Sequence, residues 1–346
     1  MVRAVARSTI RRSGVGVVLA VAMLFSAWIL LGRSDSEVAS PPPTPSSTAD
    51  GAITASTASG SDHEDRTSER ELFAPSTNSA AEWAAQNPDD PRAATIAREI
   101  GSQPIAKWFG DWNRDVGADV ATYVNEANAA DAVPTLVAYN IPNRDCGQHS
   151  AGGAADFDQY DSWVSSFAAG LGTSEAIIIL EPDSLALNSC AGSGRSQALG
   201  DAVDTIKDAC GRCRVYLDAG HSDWIAPDEM ARRLRDAGVN DADGFFTNVS
   251  NYNATNFEQA FGAEVLDALG DPDGLGQVID TSRNGNGGNG DWCDPTGRAI
   301  GDDPTLDTGI ETVDALLWIK APGEADGCAG DSGQFLADQA FGLATD

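Results

Sequence analysis

Carboxylates in this chain recur just past short apolar runs. Pro134–Tyr139 (PTLVAY) is followed by Arg144 and Asp145, and Ala176–Glu181 (AIIILE) runs into Pro182 and Asp183. Arg214–Asp218 (RVYLD) ends at Asp218, with His221 beyond it. Gln277–Asp280 (QVID) ends at Asp280, and Ala315–Lys320 (ALLWIK) ends at Lys320, ahead of Glu324 and Asp326. If these runs are parallel strands, the carboxyls converge on one rim. Several carboxyls in one cleft suit acid-assisted cleavage of an acetal: one stays protonated to donate to the leaving oxygen, and another stays ionised. Crowding two together raises the pKa of one, because both cannot ionise cheaply. Such chemistry needs no metal and no cofactor, and no metal-ligand spacing is visible around the three histidines His63, His149 and His221. Glu181 and Asp280 are better read as caps or salt-bridge groups of the rim.

The runs, with Gly244–Val249 (GFFTNV), are too short for helices and rich in Ile, Leu and Val, as buried parallel strands are. Helical patterns lie between them. Phe157, Tyr160, Trp163, Val164, Phe167 and Leu171 share one face, and Ala198–Ala209, Asp228–Ala237 and Asn256–Leu269 are further helix candidates. Alternating strands and helices over about 275 residues predict an α/β fold, a closed or nearly closed (β/α) barrel of the TIM-like type with its active groups past the strand C-termini. Trp108, Trp224 and Trp292 fall in loop-like contexts and offer flat faces for sugar rings, whereas Trp163 and Trp318 read as core.

The first 34 residues read as an address. Arg3, Arg7, Arg11 and Arg12 precede an uncharged run from Ser13 to Gly32. That run is long enough to span a bilayer, with the positive flank inside, so a signal anchor is favoured over a cleaved or twin-arginine signal. Residues 35–71 are rich in Ser, Thr, Pro and Ala and read as a disordered linker. Residues 72–346 form the globular domain. The chain is therefore expected outside the cell, secreted or tethered to the outer face of the membrane. Its formal net charge of −30 makes nucleic acid and anionic lipid poor partners, and a monomer is expected. Six cysteines, Cys146, Cys190, Cys210, Cys213, Cys293 and Cys328, agree with export. Cys210 and Cys213 precede a strand, the wrong order for a thioredoxin-like site, and read as a short structural disulfide.

Several stretches together resemble glycoside hydrolase family 6. They are VAYNIPNRDCGQHSAGG (137–153), IIILEPDSLAL (177–187), DAGHSDW (218–224), DTSRNGNG (280–287), GDWC (290–293) and WIKAPGEADG (318–327). The resemblance implies a cellulase on a distorted β/α barrel that hydrolyses β-1,4-glucan with inversion. It implies Asp183 as general acid, Asp145 as the group that raises the Asp183 pKa and helps activate water, and Asp326 as the other base candidate or a substrate-holding carboxylate. Asp218 would support the charge network, and Tyr139 would crowd the sugar at the cleavage point. Trp108, Trp224, Trp292, His221, Lys320 and Glu324 match sugar-binding positions. Arg144 either joins them or simply pairs with a carboxylate. Cys146–Cys190 and Cys293–Cys328 match the family's usual disulfides.

Members that attack chain ends roof the cleft with two long loops, one after the RDC block and one after the E-x-D-G block. Only short stretches separate Asp145 from Tyr160 and Asp326 from Phe341, so an open cleft and internal cleavage are expected. A C-terminal carbohydrate-binding module is not expected, which favours soluble or amorphous β-glucan. The alternatives are a cellobiohydrolase or a non-catalytic glucan-binding protein on the same fold. A serine esterase built on Gly220–Trp224 (GHSDW) fails, because Trp224 stands where the second Gly is needed and no His follows His221.

Overall fold

A computed structural model describes residues 70–346 apart from Asn188, Ser189, Ala191 and Ser193. The N-terminal address and all but the last two residues of the linker lie outside the described residues. Among these, no helix is long and apolar enough to cross a membrane.

Seven strands pair in parallel in chain order: β1 (Lys107–Gly110), β2 (Thr135–Tyr139), β3 (Ala176–Leu180), β4 (Cys213–Asp218), β5 (Gly244–Thr247), β6 (Gly276–Asp280) and β7 (Val313–Leu317). Among the described residues eight α-helices accompany them: α1 (Ser79–Gln86), α2 (Ala93–Ile96), α3 (Val116–Ala129), α4 (Phe157–Leu171), α5 (Arg195–Ala209), α6 (Pro227–Asp236), α7 (Thr255–Leu269) and α8 (Ala337–Thr345). The sheet curls into a nearly closed barrel, with its edges joined by one parallel bridge, Ile105–Trp318, where Ala106 N–H donates to Trp318 O at 2.9 Å.

Strand side chains alternate between two cores. Val137, Tyr139, Ile177, Ile179, Tyr216 and Phe246 pack together in the interior. Leu136, Ala138, Ile178, Leu180, Val215 and Leu217 pack with the helices. Burial on both faces is why the runs are continuously apolar. The expected last strand, Ala315–Lys320, is shifted: β7 is Val313–Leu317. Its ladder stops early because the Asp280 carboxylate takes the N–H groups of Ile319 (3.2 Å) and Lys320 (3.0 Å). Trp318 is fully buried, as expected of core, while Trp163 is half-buried and stacks on Phe167 with ring centroids 5.5 Å apart.

Candidate active site

Asp145 follows β2, Asp183 follows β3, Asp218 ends β4, Asp280 ends β6 and Asp326 follows β7, so all five meet the same rim. A cavity of about 1800 Å³ runs along it. Its wall includes Trp108, Tyr139, Arg144, Asp145, Asp183, His221, Trp224, Trp292, Lys320, Glu324 and Asp326. Of the residues singled out in the sequence for catalysis or sugar binding, only Asp218 is outside the wall.

Asp218 is buried and holds the turn that carries Asp183. Its Oδ2 accepts the N–H groups of Leu185 and Ala186, both at 2.9 Å, and its Oδ1 accepts Gly220 N–H at 3.0 Å. Glu181 pins the same turn to the end of β2, accepting Asn140 N–H at 2.8 Å and Ile141 N–H at 3.0 Å. Burial still lifts the Glu181 pKa to about 7 against these donors. The turn is strained, with Glu181 at φ 54° and Asp183 at φ 69°, a region few non-glycine residues enter. These buried anchors keep it there. Burial first, and then the charges of Asp218, Asp145 and Asp326, raise the Asp183 pKa well above the usual carboxylate range. Asp183 is thus kept protonated at a pH where free carboxyls ionise.

Asp145 also sits at positive φ, 53°, and its Oδ2 accepts Ser150 N–H at 2.7 Å. Arg144 turns away from it. Its guanidinium donates to Tyr139 O (2.7 Å) and Ser150 O (2.8 Å), and pairs with Asp111 at 3.3 Å. It also covers the Tyr139 ring at 4.5 Å. Arg144 therefore braces the loop. Tyr139 is held protonated, by burial first and then by the charge of Asp183. The edge of Trp108 meets the Tyr139 ring at 5.0 Å, and the Trp108 indole N–H donates to Ile319 O at 2.8 Å, fixing one wall.

Asp326 has a different environment. Both its oxygens lie 3.0 Å from one nitrogen of Arg283, and Tyr252 O–H and Asp294 N–H also donate to it. Lys320 Nζ donates to Ala325 O at 3.3 Å and lies 3.8 Å from Asp326. Glu324 accepts a hydrogen bond from Ser79. Asp294 clasps the loop beyond, accepting N–H groups from Asp326, Cys328 and Ala329. Burial works against its ionisation, but these donors prevail and hold its pKa at about 2. Arg283, Tyr252 and Asp294 were not singled out in the sequence. Asp294 abuts Cys293 in the GDWC block, which is its only local signal.

His221 is fixed from behind. The Asn253 amide (3.1 Å) and Asp223 N–H (3.3 Å) both face His221 Nδ1 as donors, so Nδ1 accepts and the proton sits on Nε2. Burial keeps the ring neutral. The fully buried Glu258 of α7 orients Asn253 (3.1 Å) and Ser222 N–H (3.0 Å). The disulfides are Cys146–Cys190, Cys210–Cys213 and Cys293–Cys328. Among the described residues, one grouping has metal-ligand types, His149 with Cys293 and Cys328, but its sulfurs are bonded to each other.

The family model for glycosyl hydrolases family 6 matches residues 67–344. The chain belongs to glycosyl hydrolase family 6. As a family 6 member it is a glycoside hydrolase. It is 47% identical over 275 residues to Endoglucanase A of Thermobispora bispora, an alignment that covers 77% of this chain and 60% of that protein. It is 46% identical over 270 residues to Endoglucanase 1 of Streptomyces sp. (strain KSM-9), covering 76% and 75%. Among solved structures it is similar to the endoglucanase Cel6 from Mycobacterium tuberculosis in complex with methyl-cellobiosyl-4-deoxy-4-thio-β-D-cellobioside. The TM-score is 0.75 and the identity 37%, over 80% of this chain and 97% of that one.

Proposed function

We propose that the chain is an exported endo-β-1,4-glucanase that hydrolyses internal bonds of β-glucan with inversion. The observation that carries the reading is Asp183: a half-buried carboxyl with raised pKa, held at strained backbone in the wall of a long cavity. Asp183 donates its proton to the glycosidic oxygen as the bond to C1 breaks. Water attacks C1 from the opposite face, giving the α-anomer. The proton lost by that water passes to a carboxylate. Asp145 suits this better than Asp326, because Asp326 spends its lone pairs on Arg283, Tyr252 and Asp294. Trp108, Trp224, Trp292 and the Nε2–H of His221 bind the glucan, with Lys320 and Glu324 at its hydroxyls.

Internal cleavage needs a cleft that admits mid-chain segments. The loop after Asp145 ends at Phe157 and the loop after Asp326 ends at Ala337. They meet at the hydroxyl pair Ser150 to Ser332, 3.0 Å apart, and where the His149 ring lies against Gly327, and each described disulfide outside β4 ties one of them to its own neighbour, never to the other. Two measurements on the purified chain test the reading. Viscosity of carboxymethylcellulose should fall well before reducing ends accumulate; a parallel course would mean attack from chain ends. Proton NMR of cellohexaose hydrolysis should give α-anomer first, and β-anomer first would overturn the inverting assignment.

A further inference from the structure

Three large apolar side chains are strongly exposed among the described residues: Trp112 (53%), Phe257 (63%) and Trp292 (51%). All three line the same cavity. Exposed aromatic surface is costly to keep in water unless something covers it. Trp292 already matches a sugar-binding position, but Trp112 and Phe257 have no assigned role.

Their places in the fold put them on opposite sides of the carboxyls. Trp112 lies two residues past β1, and Phe257 lies in the first turn of α7, past β5. Asp145 follows β2 and Asp183 follows β3, so strand order brackets the acids between the two aromatics. A sugar platform needs a fixed ring with a free face. Trp112 meets this description. Gly110 lets its ring lie against the backbone, where an added Cβ would come within 2.4 Å of it, and the Arg144 guanidinium sits 5.3 Å from its centroid. The residue as a whole is still half exposed.

We propose that Trp112 and Phe257 are stacking platforms for glucose units at the two ends of the cleft, which make the enzyme selective for longer β-1,4-glucan chains. This rests on the glucanase reading above. Both residues act by binding remote units, so their loss is expressed mainly in KM. The test compares cellohexaose with cellotetraose for the full chain, Phe257→Ala and Trp112→Ala. Each variant is expected to lower kcat/KM on cellohexaose about fivefold more than on cellotetraose, through KM. The two variants should also shift the cleavage position in cellohexaose in opposite directions. Trp112→Phe and Phe257→Trp, which keep a ring, should restore most of the length preference. This separates stacking from any slackening of the Arg144 loop. Unchanged length preference in both alanine variants of an active enzyme overturns the proposal while leaving the glucanase reading intact. A wild-type chain that cleaves neither oligosaccharide overturns both.

Discussion

The two rims of the barrel treat carboxylates in opposite ways. At the N-terminal rim, Glu175 precedes β3 and lies within reach of Arg70 (3.7 Å), Arg212 (3.3 Å) and Arg214 (3.6 Å). Asp243 precedes β5 and pairs with Lys207 at 2.8 Å while accepting Val215 N–H. At the C-terminal rim, Asp145, Asp183 and Asp218 have no ion-pair partner among the described residues. Asp145 and Asp218 accept backbone N–H groups instead, and Asp183 is left among like charges. The bracing carboxyls of the N-terminal rim are set against cations; those beside the cleft are held by backbone N–H groups, and the one that must hold a proton is kept from a cation. At the upper rim Asp326 pairs with Arg283 and Asp111 with Arg144, so the ion pairs there flank Asp145, Asp183 and Asp218 rather than include them.

The sharpest way to break this contrast is Asp183→Asn. It should lower kcat by roughly a thousandfold, in the range of lost general acids, with folding retained. Its thermal midpoint relative to wild type should climb with pH. The Asp183 pKa is raised on folding, so its ionisation weighs on the folded state only as pH rises from the ordinary carboxylate range through that raised value. A midpoint difference that does not vary with pH would contradict the raised pKa.

Glu181→Gln tests the anchors at the same rim. An amide nitrogen cannot accept the N–H groups of Asn140 and Ile141, and a loss of about 2 kcal/mol is expected by denaturant titration. Asp145→Asn should move the alkaline limb of the residual pH–rate profile to lower pH. It removes one charge that raises the Asp183 pKa, so the acid loses its proton earlier. A limb that stays in place would detach Asp145 from the acid. The smallest effect belongs to the opposite rim. Glu175→Gln should cost about 1 kcal/mol of stability, as partly exposed ion pairs do, and leave kcat within about twofold.

What could be read in the sequence follows from how local each feature is. Strands buried on both faces announce themselves as apolar runs, so β2 to β6 and the acids past them are legible. β1 is only KWFG, with a Lys at its start and a Gly at its end, and carries no run to notice. Helix α3 is not among the helices expected from the sequence, although Val116, Val120, Tyr123, Val124 and Ala127 carry a helical period and Asp115 caps it. The structural use of Glu181 and Asp280 is legible in outline, but their partners are backbone N–H groups just past the ends of neighbouring strands rather than helix ends. Arg283 reaches Asp326 across 43 residues, and Glu258 reaches Ser222 across 36; no local pattern encodes such pairs. The exposure of Trp112 and Phe257 depends on what the fold leaves uncovered, which spacing alone does not reveal.

The most direct test of the account asks whether Asp183 supplies a proton to the leaving oxygen. Asp183→Ala is compared with wild type on cellohexaose and on a 2,4-dinitrophenyl β-cellooligosaccharide, whose leaving group departs without a proton. The account predicts a severe loss on cellohexaose and a far smaller one on the activated substrate. An equal loss on both would show that Asp183 is not the general acid.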